Sequence, residues 1–257
     1  MLKFIQRIVT DTYKIEFYRT LIVLVRFFIL FKILKKGRKF KNTEENLNDH
    51  ITIKRDNKEL GVDDHNLHYS ENLLNFKKTY GQFNGQKTKI ITSPLVSIDY
   101  LDFNNAKVLS VGPRNEGELY YLRSLGFKWS NIHSIDLLSY SSKIELGDIH
   151  KSNYEDSSFD VIICGWVLSY SNNFKKILEE MYRISRNKAI ISIGYTFTPE
   201  QLDKVRIFKS RENVLDTNKQ IIDFYGNKIK TIYFNYDAYT DNKNFERKSI
   251  LIFRLKK

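Results

Sequence analysis

The chain has 257 residues, 42% of them hydrophobic and 14% aromatic, with a net charge of +12, three prolines, 11 glycines and one cysteine. That much apolar side chain excludes a disordered chain, and the few prolines and glycines exclude a collagen-like one. A lone cysteine excludes a disulfide framework and a cysteine-cluster metal site, and it agrees with a reducing, cytoplasmic setting.

The basicity belongs to one end. Residues 1–41 hold eleven Lys and Arg against Asp11 and Glu16, a net +9, which leaves +3 for the other 216 residues. A nucleic-acid-binding fold spreads positive charge over its folded face. Nucleic acid is therefore not the expected partner, whereas an anionic surface met by the N-terminal arm is.

Within that arm, IEFYRTLIVLVRFFILFKIL (15–34) is apolar but interrupted by Glu16, Arg19, Arg26 and Lys32. On a helix Arg19 and Arg26 stand nearly above one another, and Glu16 shares their side. The rest forms a wide apolar face of Leu21, Ile22, Leu24, Val25, Phe28, Ile29 and Phe31. Arg26 at the centre of a span would cost about 2.5–3.5 kcal/mol. An in-plane helix avoids this cost, because Arg and Lys stems snorkel while their heads stay wet. The basic cluster 32–41 then meets anionic headgroups. The alternative is a helix packed on protein. A cleaved signal peptide is not expected, because the charges continue on both sides and no small-residue cleavage site follows.

Residues 42–92 read as a polar linker with short helical pieces. His65 and His68 lie there beside Asp63 and Asp64 as a solvated loop, since no further ligand cluster supports a metal. The folded domain is expected over 93–257. Ser93-Pro94 opens a short helix through about Tyr100. KVLSVG (107–112) is a buried strand, 116–125 a helix stopped by Gly126, NIHSIDL (131–137) a second strand and KIELGD (143–148) a short third. FDVIICGW (159–166) is a fourth strand. Residues 173–186 form an amphipathic helix with Phe174, Ile177, Leu178, Met181, Tyr182 and Ile184 on one face, and KAIISIGY (188–195) is a fifth strand. Apolar strands alternating with helices predict an α/β fold, with a mostly parallel sheet covered on both faces. After helical stretches over 199–224, two strands at 228–237 and 248–255 follow with little between them and predict an antiparallel pair.

Ligands of an open parallel sheet sit beyond the carboxyl ends of its strands. Gly112-Pro113-Arg114-Asn115-Glu116-Gly117 follows the first strand there; Gly112 allows close backbone approach, and the next helix offers free N–H groups to an anion. Asp136 ends the second strand, where a carboxylate can accept from two ribose hydroxyls. Asp148 ends the third, where one can meet an adenine amino group. A turn glycine and two capping aspartates are the bland alternatives, but three successive strand ends with suitable groups favour a nucleoside site.

VLSVGPRNEGE, SIDL, LGDIHKSNYEDSSFDVIICGWVLSYSNN and ILEEMYRISRN before AIISIGY together resemble the class I S-adenosylmethionine-dependent methyltransferases, most closely their type 11 small-molecule branch. The resemblance covers roughly 107–195. It implies a Rossmann-like sheet of seven strands in the order 3-2-1-4-5-7-6 and S-adenosylmethionine as cofactor. It further implies that Gly112, Pro113 and the backbone to Gly117 line the methionine part and that Asp136 holds the ribose. Asp148 and Ile149 would flank the adenine, and Cys164, Gly165 and Trp166 would close the site beside the transferred methyl. The family pattern has an acid where this chain has Ser110 and a second glycine where it has Arg114; Arg114 or Glu116 is placed to pair with the methionine carboxylate or ammonium instead. Eleven residues separate Asp136 from Asp148, too few for the usual helix between the second and third strands.

Methyl transfer needs alignment and exclusion of water, and no metal. His150 is the best-placed imidazole for a general base, with an ordinary loop histidine as the alternative. Of Tyr154, Trp166 and Tyr170, Trp166 is the expected acceptor wall. Cys164 reads as a buried thiol. The run after the fourth strand, CGWV, lacks the motifs of DNA amino- and cytosine-methylases. The expected protein is a methyltransferase of a small-molecule or saccharide acceptor, cytoplasmic and peripheral on the membrane through residues 15–41. The alternative is a non-catalytic methyltransferase-like binding module.

Overall fold

The computed structural model describes residues 86–113, 116–139, 142–171, 173–197, 214–237 and 247–257, with short strand segments at 41–42, 53–55 and 58–60 and helical positions at Phe17 and Leu21. Apart from those two positions the arm helix lies outside the described residues, as do His65, His68, Arg114, the Glu116 side chain and the helical stretch expected between 199 and 213.

Seven strands form one sheet: β1 Val108–Val111, β2 Ile132–Asp136, β3 Glu145–Leu146, β4 Phe159–Gly165, β5 Ser185–Phe197, β6 Ile229–Tyr236 and β7 Arg247–Leu255. Their order is β3-β2-β1-β4-β5-β7-β6. The five strands β1 to β5 pair in parallel, and β7 runs antiparallel to both β5 and β6. The sheet is therefore the Rossmann-like one expected, reversed final hairpin included.

Alternation along the central strands divides the core into two layers. Leu109, Val111, Ile162, Cys164, Ile191, Ile193 and Phe253 face helix α3 (Phe174–Ile184) and helix α4 (Asn218–Tyr225). Val108, Ile132, Val161, Ile163, Ile190 and Ile252 face helix α1 (Gln86–Thr92) and helix α2 (Glu116–Ser124). Period-two side chains on strands buried from both sides leave no polar face. In α3 the apolar stripe of Ile177, Leu178, Met181 and Ile184 is buried, and the Asn173 side chain caps its start by accepting the Lys176 N–H at 3.2 Å.

Packing on the sheet begins before Ser93. Helix α1 buries Ile91 completely, and the Ser192 hydroxyl on β5 donates to the Ile91 carbonyl. Ser93-Pro94 opens a 3-10 turn, Ser93–Ser97, that continues from α1. Strand β3 is two residues long, paired only at Ile135↔Glu145 and Asp136↔Leu146. Between β2 and β3 the described residues form no helix; Leu138 and Ser139 pair with the short segment Lys41–Asn42.

Candidate functional site

The carboxyl ends of β1, β2 and β4 are level, with Val111 opposite both Ile135 and Cys164. The loops that leave β1, β3 and β4 are tied to neighbouring strands. The Gly112 N–H donates to the Ile135 carbonyl at 2.9 Å, Gly147 N–H to Asp136 at 3.0 Å and Trp166 N–H to Gly194 at 2.6 Å. Gly112 has φ +64°, and a Cβ there would lie 2.4 Å from Val167 Cγ2. Glycine is thus required at this turn on two counts, left-handed backbone and missing space. Pro113 and Gly117 are buried, Gly117 in the first turn of α2.

Asp136 is half-buried at the end of β2. Asp148 follows β3 and is bound into a relay. Its Oδ1 accepts the His150 backbone N–H at 2.9 Å and lies 2.7 Å from His150 Nδ1. His150 Nε2 lies 2.6 Å from Ser171 Oγ, which also accepts the Asn173 N–H at 2.9 Å. His150 and Ser171 are both buried, so this is a structured chain and not a solvated loop histidine. Ile149, between Asp148 and His150, turns into the core. Ser171 is the member that sequence reasoning missed, for it carries no motif and its role depends on a contact 21 residues away.

Beyond β4, Cys164 is fully buried, and burial pushes its thiol up to about 12 despite hydrogen bonds from the Val167 and Leu168 backbone. Gly165 leaves room for Ile91, whose Cδ1 would stand 3.1 Å from a Cβ there. Trp166 has φ +63° and is buried, its ring packed near Gly194 and its centroid 5.9 Å from the Lys248 ammonium. Tyr154 is elsewhere: its hydroxyl donates to Glu145 at 2.7 Å, and its ring meets Phe159, the first residue of β4. Tyr154 and Trp166 thus lie toward opposite ends of β4. Tyr170, half-buried, ends the short 3-10 turn Leu168–Tyr170.

This donor set suits a sulfonium nucleoside. One strand end offers a left-handed glycine and a helix N-terminus, the next a carboxylate for the ribose, and the third a braced carboxylate for an amino group. Among the described residues no group of three or more His, Cys, Asp or Glu side chains is arranged to hold a metal, and no helix is long and apolar enough to cross a membrane.

Residues 116–193 match the family model described as a methyltransferase domain. Among solved structures, the chain is similar to a putative S-adenosylmethionine-dependent methyltransferase from Listeria monocytogenes, at 14% identity and TM-score 0.47, over 67% of this chain and all of that one. A putative methyltransferase from Methanococcus maripaludis is 16% identical, with TM-score 0.45 over 75% of this chain and 92% of its own. The trans-methyltransferase CalH, in complex with SAH, is 12% identical at TM-score 0.48, over 72% and 61%. No curated protein matches the chain in sequence.

Proposed function

We propose that the chain, whose residues 116–193 match a methyltransferase-domain family model on a seven-stranded Rossmann-like sheet, is a class I S-adenosylmethionine-dependent methyltransferase and that it methylates a small-molecule or saccharide acceptor at a membrane surface. The observation that carries the enzymatic reading is the row of groups at three adjacent strand ends, Gly112, Asp136 and Asp148. S-adenosylmethionine, when bound, supplies an electrophilic methyl group on a sulfonium. Asp136 accepts the ribose hydroxyls, Asp148 and the backbone at Ile149 flank the adenine while the Ile149 side chain stays in the core, and the start of α2 at Glu116 and Gly117 faces the methionine end. The turn at Gly165 and Trp166 closes the reacting side with its backbone, the Trp166 ring being packed in the core and not forming the expected acceptor wall, and exclusion of water there matters more than acid–base power.

A nearly neutral folded body speaks against nucleic acid and for a small acceptor. Two features support the membrane location: the net +9 of residues 1–41, and the exposure of Phe17 (63%) and Leu21 (46%), one helical turn apart. A peripheral, cytoplasmic placement is the reading these two features support.

Calorimetric titration with S-adenosylmethionine tests the enzymatic reading. Binding that is lost in Asp136→Ala supports it; no heat at millimolar cofactor would leave a non-catalytic binding module. Flotation with anionic liposomes tests the location. The full chain should float and a chain shortened to begin at Asn42 should not; equal behaviour removes the membrane claim.

A further inference from the structure

We infer that His150 is a positioning residue for the adenine end of the cofactor site, acting by fixing the Asp148 carboxylate. The inference rests on the proposed role of Asp148. It assigns His150 a task other than taking a proton from the acceptor.

The geometry carries it in three steps. First, Asp148 sits in a loop with little regular support: β3 before it is two residues long, and the described residues between β2 and β3 contain no helix. Second, His150 grips one carboxylate oxygen twice, through its backbone N–H at 2.9 Å and its ring at 2.7 Å. A carboxylate only accepts, so Nδ1 carries the proton. Third, Nε2 is held 2.6 Å from Ser171 Oγ. With Nδ1 protonated on a neutral ring, Nε2 accepts the Ser171 hydroxyl hydrogen, while the Ser171 oxygen accepts the Asn173 N–H.

Both ring nitrogens are thereby engaged in a buried chain, which binds the loop after β3 to the loop after β4. A satisfied polar chain of this kind fixes rotamers and is costly to open. Taking a proton from a substrate would require Nε2 to leave Ser171. Holding the carboxylate requires nothing to move. A carboxylate in a fixed place accepts from the amino group of adenine and repels the carbonyl oxygen of hypoxanthine, so the grip of His150 on Asp148 sets base preference.

Two substitutions separate the ring's two contacts. In His150→Asn the amide nitrogen falls near the Nδ1 position and keeps the grip on Asp148. In His150→Gln it falls near Nε2, so the side chain keeps the reach to Ser171 and only the backbone N–H still holds Asp148. Dissociation constants for S-adenosylhomocysteine and S-inosylhomocysteine are measured by calorimetry, beside the Tm of each ligand-free protein. His150→Gln should weaken S-adenosylhomocysteine by about tenfold and shrink the preference for it over the inosyl analogue. His150→Asn and Ser171→Ala should keep the wild-type preference even where Tm falls.

Unchanged preference in His150→Gln, or a loss of preference in His150→Asn equal to that in His150→Gln, overturns the inference while leaving the cofactor site standing. A wild-type protein that binds neither compound removes the cofactor reading and this inference together.

Discussion

Val167 fills the space that a side chain at Gly112 would need, its Cγ2 lying 2.4 Å from the position of a Cβ there. Gly112 closes β1, and Val167 lies in the loop leaving β4, so the contact joins two loops of the candidate site. Two separate penalties meet at this glycine: φ +64° and a β-branched neighbour with little rotamer freedom.

Gly112→Ala should therefore destabilise the protein by about 2–4 kcal/mol, combining left-handed backbone with overpacking. Val167→Ala in the same chain should return only the packing share, roughly half. Urea unfolding of the single and double variants measures both. Full recovery in the double variant would show that backbone conformation contributes nothing.

Glu180 on α3 accepts from the Ser152 N–H at 2.9 Å and the Ser152 hydroxyl at 2.5 Å, and from Arg183 Nε at 2.8 Å and Nη2 at 2.7 Å. Burial alone would raise this carboxyl, but the Arg183 guanidinium and the Ser152 donors outweigh it and hold Glu180 below its ordinary 4.5. A folded pKa below the unfolded one gives stability that is complete above the unfolded value and is lost as pH falls through the folded value. Tm should thus decline more steeply below about pH 4.5 in the wild type than in Glu180→Gln. At neutral pH the variant should be less stable by about 1–3 kcal/mol, because Arg183 and Ser152 lose a charged acceptor. Parallel Tm–pH curves for the two proteins would contradict this.

The parallel strands were readable because β1, β4 and β5 are apolar runs bounded by turn residues, and the β6–β7 pair because so little chain separates its strands. Helix α1 was not readable. QKTKIIT has no amphipathic stripe; it is helical because Ile91 is buried under Gly165 and Gly194, whose missing side chains make room for it. Strand β3 was overextended in the sequence reading, since KIELGD looks uniformly strand-like and only pairing with β2 limits it to two residues. At the candidate site, the positions of Asp136 at the end of β2 and of Asp148 just beyond β3 were legible from the strand pattern. The relay through His150 to Ser171 was not, because it depends on how close two loops come.

Cys164 is the only cysteine of the chain, fully buried at the end of β4, with its thiol pushed up to about 12. At pH 8 roughly one thiol in ten thousand is ionised, and none is accessible. A disulfide reagent should leave the native protein unmodified over hours and titrate one thiol immediately in denaturant. Rapid labelling of the native protein would mean that the β4 end opens. Because the signal comes from one residue beside the candidate site, its rate also reports local opening there, and a bound cofactor should slow it.

Asn218 links α4 to the final hairpin. Its buried Nδ2 lies 2.7 Å from Asn235 Oδ1, 3.1 Å from the Tyr236 carbonyl and 3.0 Å from the Ile250 carbonyl. Asn218→Ala takes the donor from all three acceptors and should cost about 1–3 kcal/mol. Asn218→Asp keeps the shape but sets a carboxylate against two carbonyl oxygens, so at neutral pH it should cost more than alanine. Protonation would restore an O–H donor. The new carboxyl should accordingly have a raised folded pKa, and its stability deficit relative to wild type should shrink as pH falls through that value. Hydrogen exchange at β6 measured at neutral and mildly acid pH distinguishes the two variants: acid should restore protection in Asn218→Asp and leave Asn218→Ala unprotected. Equal exchange in both at every pH would show that a donor at position 218 does not hold the hairpin to α4.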